Sequence, residues 1–461
     1  MTSNLWVAKF GGTSVATYEA MKRCVSVIAQ YPDVRVVVVS APAGVTDLLV
    51  KLTQAHQSGV DIAPILEQIQ NKINAILNTV HLVAQIKHEI ESMFSSLEKI
   101  AYSLKANYSR EHADELLSYG ERFSARLFSC VMNEQGLKAA HVDARSLIKT
   151  NDFFGKAEVL IKETAEQVKF KLLPLCKQQI VITEGFIGST KESVTTTLGR
   201  GGSDYSAALL AEAAGAHALQ IWTDVPGIYT VDPRLVEVAR PIDHMSFTEA
   251  AELAQFGAKV LHPATLWPAI RQNIPVFVGS SMNAKAQGTW IRATLPAQEN
   301  TPHIRAISLR RHQSLLTIHS LEMLHTHGFL ANIFTILAKH ELSVDIVTTS
   351  EVNVALTLNH PSGGSSELLT PDILAELKSI GNVSLKVDHD LCLIALVGNQ
   401  LDTTSGISGK VFQCLAKFNI RLICHGASSS NLCFLVSEKD AHAVVRALHS
   451  EFFEVACHRG I

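Results

Sequence analysis

The chain has 461 residues, of which 47% are hydrophobic and 18% charged, with a net charge of −3. That length gives room for two or three domains. The near-neutral charge argues against nucleic acid as the main partner, and no run of about 18 apolar residues offers a membrane span. The N-terminus lacks the basic stretch and apolar run of a signal peptide. The eight cysteines form no CxxC pair, so they read as reduced core thiols of a cytoplasmic protein.

In chain order, the apolar run Leu5 to Ala8 predicts a first strand and Tyr18 to Gln30 a helix. Val34 to Ser40 is an apolar run broken only by Arg35, as in a strand buried on both faces. Residues 61 to 135 carry Ile, Leu and Val every three or four positions, the period of packing helices. From about residue 138 strands and helices alternate. Ile180 to Gly185 reads as strand, Ser203 to Ala214 as helix and Ala218 to Thr223 as strand. The helices Phe247 to Phe256 and Ala264 to Gln272 and the strand Ile274 to Val278 follow. This alternation predicts an α/β fold, a mostly parallel sheet sandwiched by helices.

Ala297-Gln298-Glu299-Asn300-Thr301-Pro302 is a polar linker. Beyond it a βαββαβ pattern appears twice. The first copy runs Ser314 to His319, Leu330 to His340, Ser343 to Thr349, Asn353 to Leu358, Pro371 to Ile380 and Val383 to Val387. The second runs Leu391 to Val397, Gly406 to Phe418, Ile420 to Gly426, Leu432 to Ser437 and Ala441 to Glu451. This copy lacks a last strand. Either Ile304 to Leu309, which would place the first copy inside the second, or the tail Val455 to His458 would supply it.

Five segments suit phosphoryl transfer, which needs neutralised phosphate charge and aligned reactants rather than covalent catalysis. Lys9-Phe10-Gly11-Gly12-Thr13-Ser14 places an ammonium, bare N–H groups and hydroxyls between a strand and a helix. That is an anion cradle without Walker A spacing. Ser40-Ala41-Pro42-Ala43-Gly44-Val45-Thr46 ends the second strand, where ligands of open α/β sheets sit. Leu117-Ser118-Tyr119-Gly120-Glu121-Arg122 offers a carboxylate. Thr195 to Tyr205, TTTLGRGGSDY, is a Gly-rich turn entering a helix. In it Arg200 suits a bidentate grip on a carboxylate, and Asp204, which would repel a phosphate, suits orienting Lys9. Trp222 to Arg234 and Phe256 to Pro263 complete the set. No nucleophile elbow and no GxGxxG fingerprint appears.

These motifs resemble those of the aspartate kinases, members of the amino acid kinase superfamily, and the doubled pattern resembles tandem ACT domains, the sensors of amino-acid biosynthesis. The resemblance covers nearly the whole chain. It implies a kinase domain over 1–296, a linker and strand completing the second ACT domain over 297–312, a first α+β ACT domain over 313–390 and a second over 391–461. It implies transfer of the ATP γ-phosphoryl, with Mg2+, to the β-carboxylate of L-aspartate, giving 4-phospho-L-aspartate. That is the first step toward lysine, threonine and methionine. Lys9 would lie over the moving phosphoryl group with Asp204 as its partner. Ser40 and Thr46 would receive the β-carboxylate, Glu121 the α-ammonium and Arg200 the α-carboxylate, with Phe186 and Ser203 lining the site. Lys9, Gly11, Gly12, Ser14, Thr223, Asp224, Tyr229, Arg234 and Lys259 would hold the nucleotide, and His262 is structural. The family's common serine at position 42 is Pro here, which stiffens that loop.

Met323 to Leu330 and Val344 to Val352 resemble the effector loops of the lysine-sensitive members. The implied contacts are Met323, Thr326, Gly328, Phe329, Leu330, Asp345, Thr349, Ser350, Glu351 and Val352. Lysine carries two ammonium groups, and Asp345 and Glu351 would answer them; threonine as effector would leave one acid unpaired. A homo-oligomer through the ACT domains, dimer or tetramer, is also implied. Two other readings use the same residues. A kinase for another acidic substrate is disfavoured by the Glu121 and Arg200 pair, and a non-catalytic amino-acid sensor by the intact Lys9, Arg200 and Asp204.

Overall fold

The run Val-Arg-Val-Val-Val-Val is apolar but for Arg35 because it lies inside a sheet covered on both sides. In this computed structural model, which describes residues 4–81, 84–257, 261, 263–295, 302–359 and 368–454, the chain divides into two units. The first takes residues 1–228, 241–251 and 259–297; the second takes 229–240, 252–258 and 298–461.

The strands of the first unit are β1 (Trp6–Phe10), β2 (Val34–Val39), β3 (Ala139–His141), β4 (Ile180–Glu184), β5 (Ile187–Ser189), β6 (Thr195–Thr197), β7 (Ala218–Thr223), β8 (His244–Ser246), β9 (Val276–Ser280) and β10 (Thr289–Arg292). Eight of them form one sheet in the order β3-β4-β2-β1-β7-β9-β10-β8, while β5 and β6 make a separate hairpin. Within the eight-stranded sheet, among the described residues, only the β9–β10 pairing is antiparallel. The helices Arg110–Glu134 and Gly202–Ala214 pack on this sheet, and Tyr18–Ala29, Ala63–Leu77 and Ala84–Ala106 pack on Arg110–Glu134. In the core the Phe10 ring stacks at 10° on Trp222 and lies 6.0 Å from Phe128. Register decides where the site falls. Phe10 is paired with Val39 and Trp222, and Val39 with Glu184. The loops after β1, β2, β4 and β7 therefore leave from one edge, the carboxyl ends of parallel strands.

The second unit has six antiparallel strands: β11 (Ile304–His319), β12 (Val344–Thr349), β13 (Asn353–Asn359), β14 (Ser384–Gly398), β15 (Ile420–His425) and β16 (Asn431–Ser437), in the order β12-β13-β11-β14-β16-β15. β11 and β14 are long strands paired along their length, with breaks in register between Arg310 and Leu315. His312 (φ 57°) and Asp390 (φ 54°) adopt left-handed backbone at that step. What the sequence suggests as four strands is thus two. The stretch Ile304–Arg310 pairs with Leu393–Gly398, beside β16, while Gln313–His319 pairs with Ser384–Leu391, beside β13. The linker stretch 296–301 and the tail 455–461 lie outside the described residues. Helices Phe329–Lys339 and Pro371–Lys378 cover a core around Leu316, Ile318 and Leu356. Ile407–Cys414 and Glu438–His449 cover another around Ile394, Leu396 and Phe434. Val231 and Val236 are buried in that latter core, and the Ile307 N–H donates to the Thr230 carbonyl at 2.7 Å. No described helix is long and apolar enough to cross a membrane.

Candidate active site

Lys9 is the penultimate residue of β1 and is only 8% exposed. Its Nζ lies 2.5 Å from Asp204 Oδ1, a close ion pair whose angles are not those of a hydrogen bond. Asp204 stands in the first turn of Gly202–Ala214, where the helix dipole also favours a carboxylate. Just before that helix Arg200 is exposed, set between the left-handed Gly199 and Gly201. The loop after β4 packs directly on the helix start: a Cβ on Gly185 would lie 2.6 Å from Ser203 Cβ and 2.7 Å from its Cα. Phe186, half-buried and held at φ 69°, donates its N–H to Ser206 Oγ at 2.9 Å and accepts from the Leu198 N–H at 2.9 Å. Phe186, Arg200, Ser203 and Asp204 thus belong to one tightly tied segment pair.

The glycine turn after β1 is close to the loop after β2. A Cβ on Gly12 would fall 2.7 Å from the Ala41 carbonyl oxygen, and the Ala43 N–H donates to the Gly12 carbonyl at 3.1 Å. The Gly11 N–H donates to the Trp222 carbonyl at 3.1 Å, and the Ser14 hydroxyl shares a buried 2.6 Å hydrogen bond with Ser281. Ser281 in turn donates its N–H to the Thr223 carbonyl at 2.9 Å. Two of the expected nucleotide contacts therefore already hold the turn against β7. Thr223 donates its hydroxyl to the exposed Asp224 at 3.0 Å. Ser40 is half-buried and donates its N–H to the Phe10 carbonyl at 3.1 Å, while Thr46 is exposed in the first turn of Val45–Thr53.

Glu121, on Arg110–Glu134, is 4% exposed. Its Oε2 is buried without a hydrogen-bond partner among the described residues. Burial pushes its carboxyl up to about 8, and the nearby Glu184 charge adds to the effect; the Ala41 N–H and the Lys9 charge oppose it. An acid in this condition is waiting for a cation.

Three groups at the site escaped the motif reading. Asp114, 1% exposed, accepts from the N–H groups of Gly155 (2.9 Å) and Thr197 (2.8 Å) and from the Thr197 hydroxyl (2.9 Å). It ties β6, three residues before Arg200, to the helix of Glu121, and burial pushes its carboxyl upward. Glu184 ends β4 fully buried, and His141 faces it at 2.6 Å. The available signal is an acid closing an apolar strand, Ile180-Val181-Ile182-Thr183-Glu184, because such an acid must find donors.

Tyr229 and Arg234 fall in the second unit, where the exposed Arg234 makes a fork with Asp232 at 2.7 and 3.0 Å. Lys259 and His262 lie outside the described residues. In the two loops expected to hold the effector, Gly328 (φ 82°) precedes Phe329–Lys339, of which Phe329 is buried and Leu330 exposed. Met323 packs on the Leu316 core, and Thr326 donates its hydroxyl to the Glu322 carbonyl at 2.8 Å. The Ser320 N–H, just ahead of the first loop, donates to the Val352 carbonyl at 2.9 Å. Thr349, Ser350 and Glu351 are exposed at the β12–β13 turn. Asp345 already has a cation: Arg310 Nη2 lies 2.5 Å from its Oδ2.

A family model described as the amino acid kinase family matches residues 4–280, and an ACT domain model matches 394–452. The lysine-sensitive aspartokinase 3 of Escherichia coli is 50% identical over 98% of this chain and 100% of its own length. The chloroplastic aspartokinase 3 of Arabidopsis thaliana is 37% identical over 97% of this chain and 81% of its own. Two E. coli aspartokinase III structures align over 98% of this chain and 100% of theirs. One, with aspartate and ADP, has TM-score 0.87 at 49% identity; the other, with lysine and aspartate, has TM-score 0.84 at 50% identity.

Proposed function

The chain belongs to the amino acid kinase family and, within it, to the aspartokinases, and on that premise we propose that it phosphorylates the β-carboxylate of L-aspartate from MgATP, under inhibition by L-lysine. The observation that carries this reading is the Lys9–Asp204 pair beside the unpartnered Glu121 oxygen at the carboxyl edge of a parallel sheet. Lys9 neutralises charge on the moving phosphoryl oxygens, and Asp204 keeps its ammonium aimed there. Glu121 takes the α-ammonium and Arg200 the α-carboxylate, so aspartate is held by its invariant end while Ser40 and Thr46 present the β-carboxylate in line. Phe186 and Ser203 wall the same pocket. Gly11, Gly12, Ser14, Thr223 and Asp224 approach the nucleotide, as do Tyr229, Arg234 and Lys259 in the family reading. Mg2+ bound with ATP would supply shielding of the phosphate charge. The product is 4-phospho-L-aspartate, the entry compound for lysine, threonine and methionine, and a cytoplasmic setting fits the free buried thiols.

The effector loops of the second unit are the lysine site in this reading, and the domain limits 1–296, 313–390 and 391–461 follow the family. Glu351 is the better ammonium acceptor, because it is exposed, while Asp345 would first have to release Arg310. Subunits associate through the ACT domains. Trapping acyl phosphate with hydroxylamine, from aspartate plus MgATP and with or without lysine, tests the whole reading. Absence of aspartyl hydroxamate would end it.

A further inference from the structure

The strand Thr195-Thr196-Thr197 has a polar side-chain partner at every residue. Arg145 Nη1 donates to Thr195 Oγ1 at 3.1 Å, the Thr196 and Thr150 hydroxyls share a buried 2.7 Å hydrogen bond, and Thr197 meets Asp114. The last contact gathers more than one strand. Asp114 Oδ2 accepts from the Thr197 N–H at 2.8 Å and from the Gly155 N–H at 2.9 Å, while its Oδ1 accepts from the Thr197 hydroxyl at 2.9 Å. One carboxylate thus joins two loops, and they meet again further on. The Ala157 N–H donates to the Thr197 carbonyl at 2.8 Å, and a Cβ on Gly199 would lie 3.3 Å from Lys156 Cγ. Arg200 is the next residue. Asp114 also stands on Arg110–Glu134, seven residues before Glu121, and both acids are buried. Seven residues make about two helical turns, so the two acids share a face roughly 10 Å apart along the axis.

We propose that Asp114 is a positioning residue that sets Arg200 in a fixed place relative to Glu121, so that the α-carboxylate and the α-ammonium of the amino-acid substrate are gripped together. This rests on the assignment of those two groups to Arg200 and Glu121. The path between them is short. From Glu121 it runs down two turns of helix to Asp114, across two hydrogen bonds to Thr197, and along three residues to Arg200. The last stretch needs an anchor, because Gly199 and Gly201 on either side of Arg200 both take left-handed backbone. Asp114 supplies it on the side of the helix, where an apolar side chain would leave two buried N–H groups without this acceptor.

The test is the aspartate KM and ATP KM of wild type and a set of variants. Asp114→Ala should raise aspartate KM about tenfold or more and leave ATP KM within about twofold of wild type. Asp114→Asn should recover most of that loss. Its carbonyl oxygen can replace Oδ2 and keep both N–H groups, and its amide can donate to the Thr197 hydroxyl oxygen. Asp114→Glu keeps the charge but moves the acceptors by one methylene, so its aspartate KM should rise several-fold. The contrast between Asn and Glu serves if Asp114→Ala fails to fold, and an Asn variant as impaired as the Glu variant overturns the proposal. Thr150→Val breaks the neighbouring bond to the same strand and should leave aspartate KM near wild type. If it raises aspartate KM as much as Asp114→Ala does, any loosening of the strand suffices and the proposal fails. It fails too if Asp114→Ala raises both KM values alike. Arg200→Ala separates the two levels. If it leaves aspartate KM unchanged, the assignment of Arg200 fails and the proposal with it. If it raises aspartate KM while Asp114→Ala does not, only the proposal fails.

Discussion

Lys9 is nearly buried, and Asp204 is a close anion to its ammonium. A cation so placed does little for ground-state binding of aspartate and much for charge that spreads over phosphoryl oxygens in the transition state. Lys9→Ala should lower kcat by roughly 10²–10³ with a smaller change in aspartate KM. Steady-state kinetics with kcat intact would remove Lys9 from the chemistry. Glu121 makes a separate statement, about stability. An unfolded glutamate releases its proton near pH 4.5, whereas the folded protein keeps it to about 8. Between those values the unfolded chain binds fewer protons, so without substrate this group makes stability fall as pH rises, and outside that window its contribution is level. The full swing is on the order of 3–5 kcal/mol as an upper bound. Glu121→Gln should flatten the decline of the urea midpoint between pH 5 and 8, and an unchanged slope would mean that Glu121 titrates normally.

Elements bring these residues together by close backbone approach, and Gly185 is the clearest case. A methyl group there meets Ser203 Cβ at 2.6 Å and Cα at 2.7 Å, and the Cα cannot swing aside. Gly185→Ala should therefore push the loop after β4 off the helix start, costing about 1–3 kcal/mol of stability. It should also raise aspartate KM, since Phe186, Ser203 and Arg200 share that junction. Wild-type kinetics and stability in the variant would contradict the packing. Much of this level is legible in the sequence. β2 and β7 lie where the sequence pattern predicts strands, and Lys9 and Asp204 do meet. The three-residue strands β3, β5, β6 and β8 carry too short a pattern to be read. β11 and β14 read as two strands each because polar residues at their register step, His312 and Asp390 among them, look like turns. Pairings such as Arg310–Asp345 and Glu184–His141 join residues 35 and 43 positions apart, beyond the reach of local pattern.

At the scale of the whole molecule, lysine should inhibit without competing for the aspartate site. It lacks the side-chain carboxylate proposed for Ser40 and Thr46, and its proposed loops lie in the second unit. A coupling of about 1–3 kcal/mol is typical, and aspartate must weaken lysine binding by the same factor. Glu351→Ala should raise the inhibitory lysine concentration by about 10-fold or more, worth 1.5–3 kcal/mol for a charged contact, while uninhibited kcat stays put. Lysine titrations of both proteins decide it, and equal inhibition would place the ammonium site elsewhere. Ending the chain near Thr301 should abolish lysine sensitivity and activity together. The cut strips Val231 and Val236 of the core that buries them and takes away His449, the partner of Thr230 at 3.1 Å. A soluble truncated protein that still responds to lysine would refute this account. The same interleaving sets a rule for recombining such proteins. Since 229–240 and 252–258 belong with 298–461, the regulatory half is not a cassette that a single crossover can move. A chimera joined only at the linker pairs one parent's Val231 and Val236 with the other's core, so a working exchange of effector specificity has to transplant three stretches of gene at once.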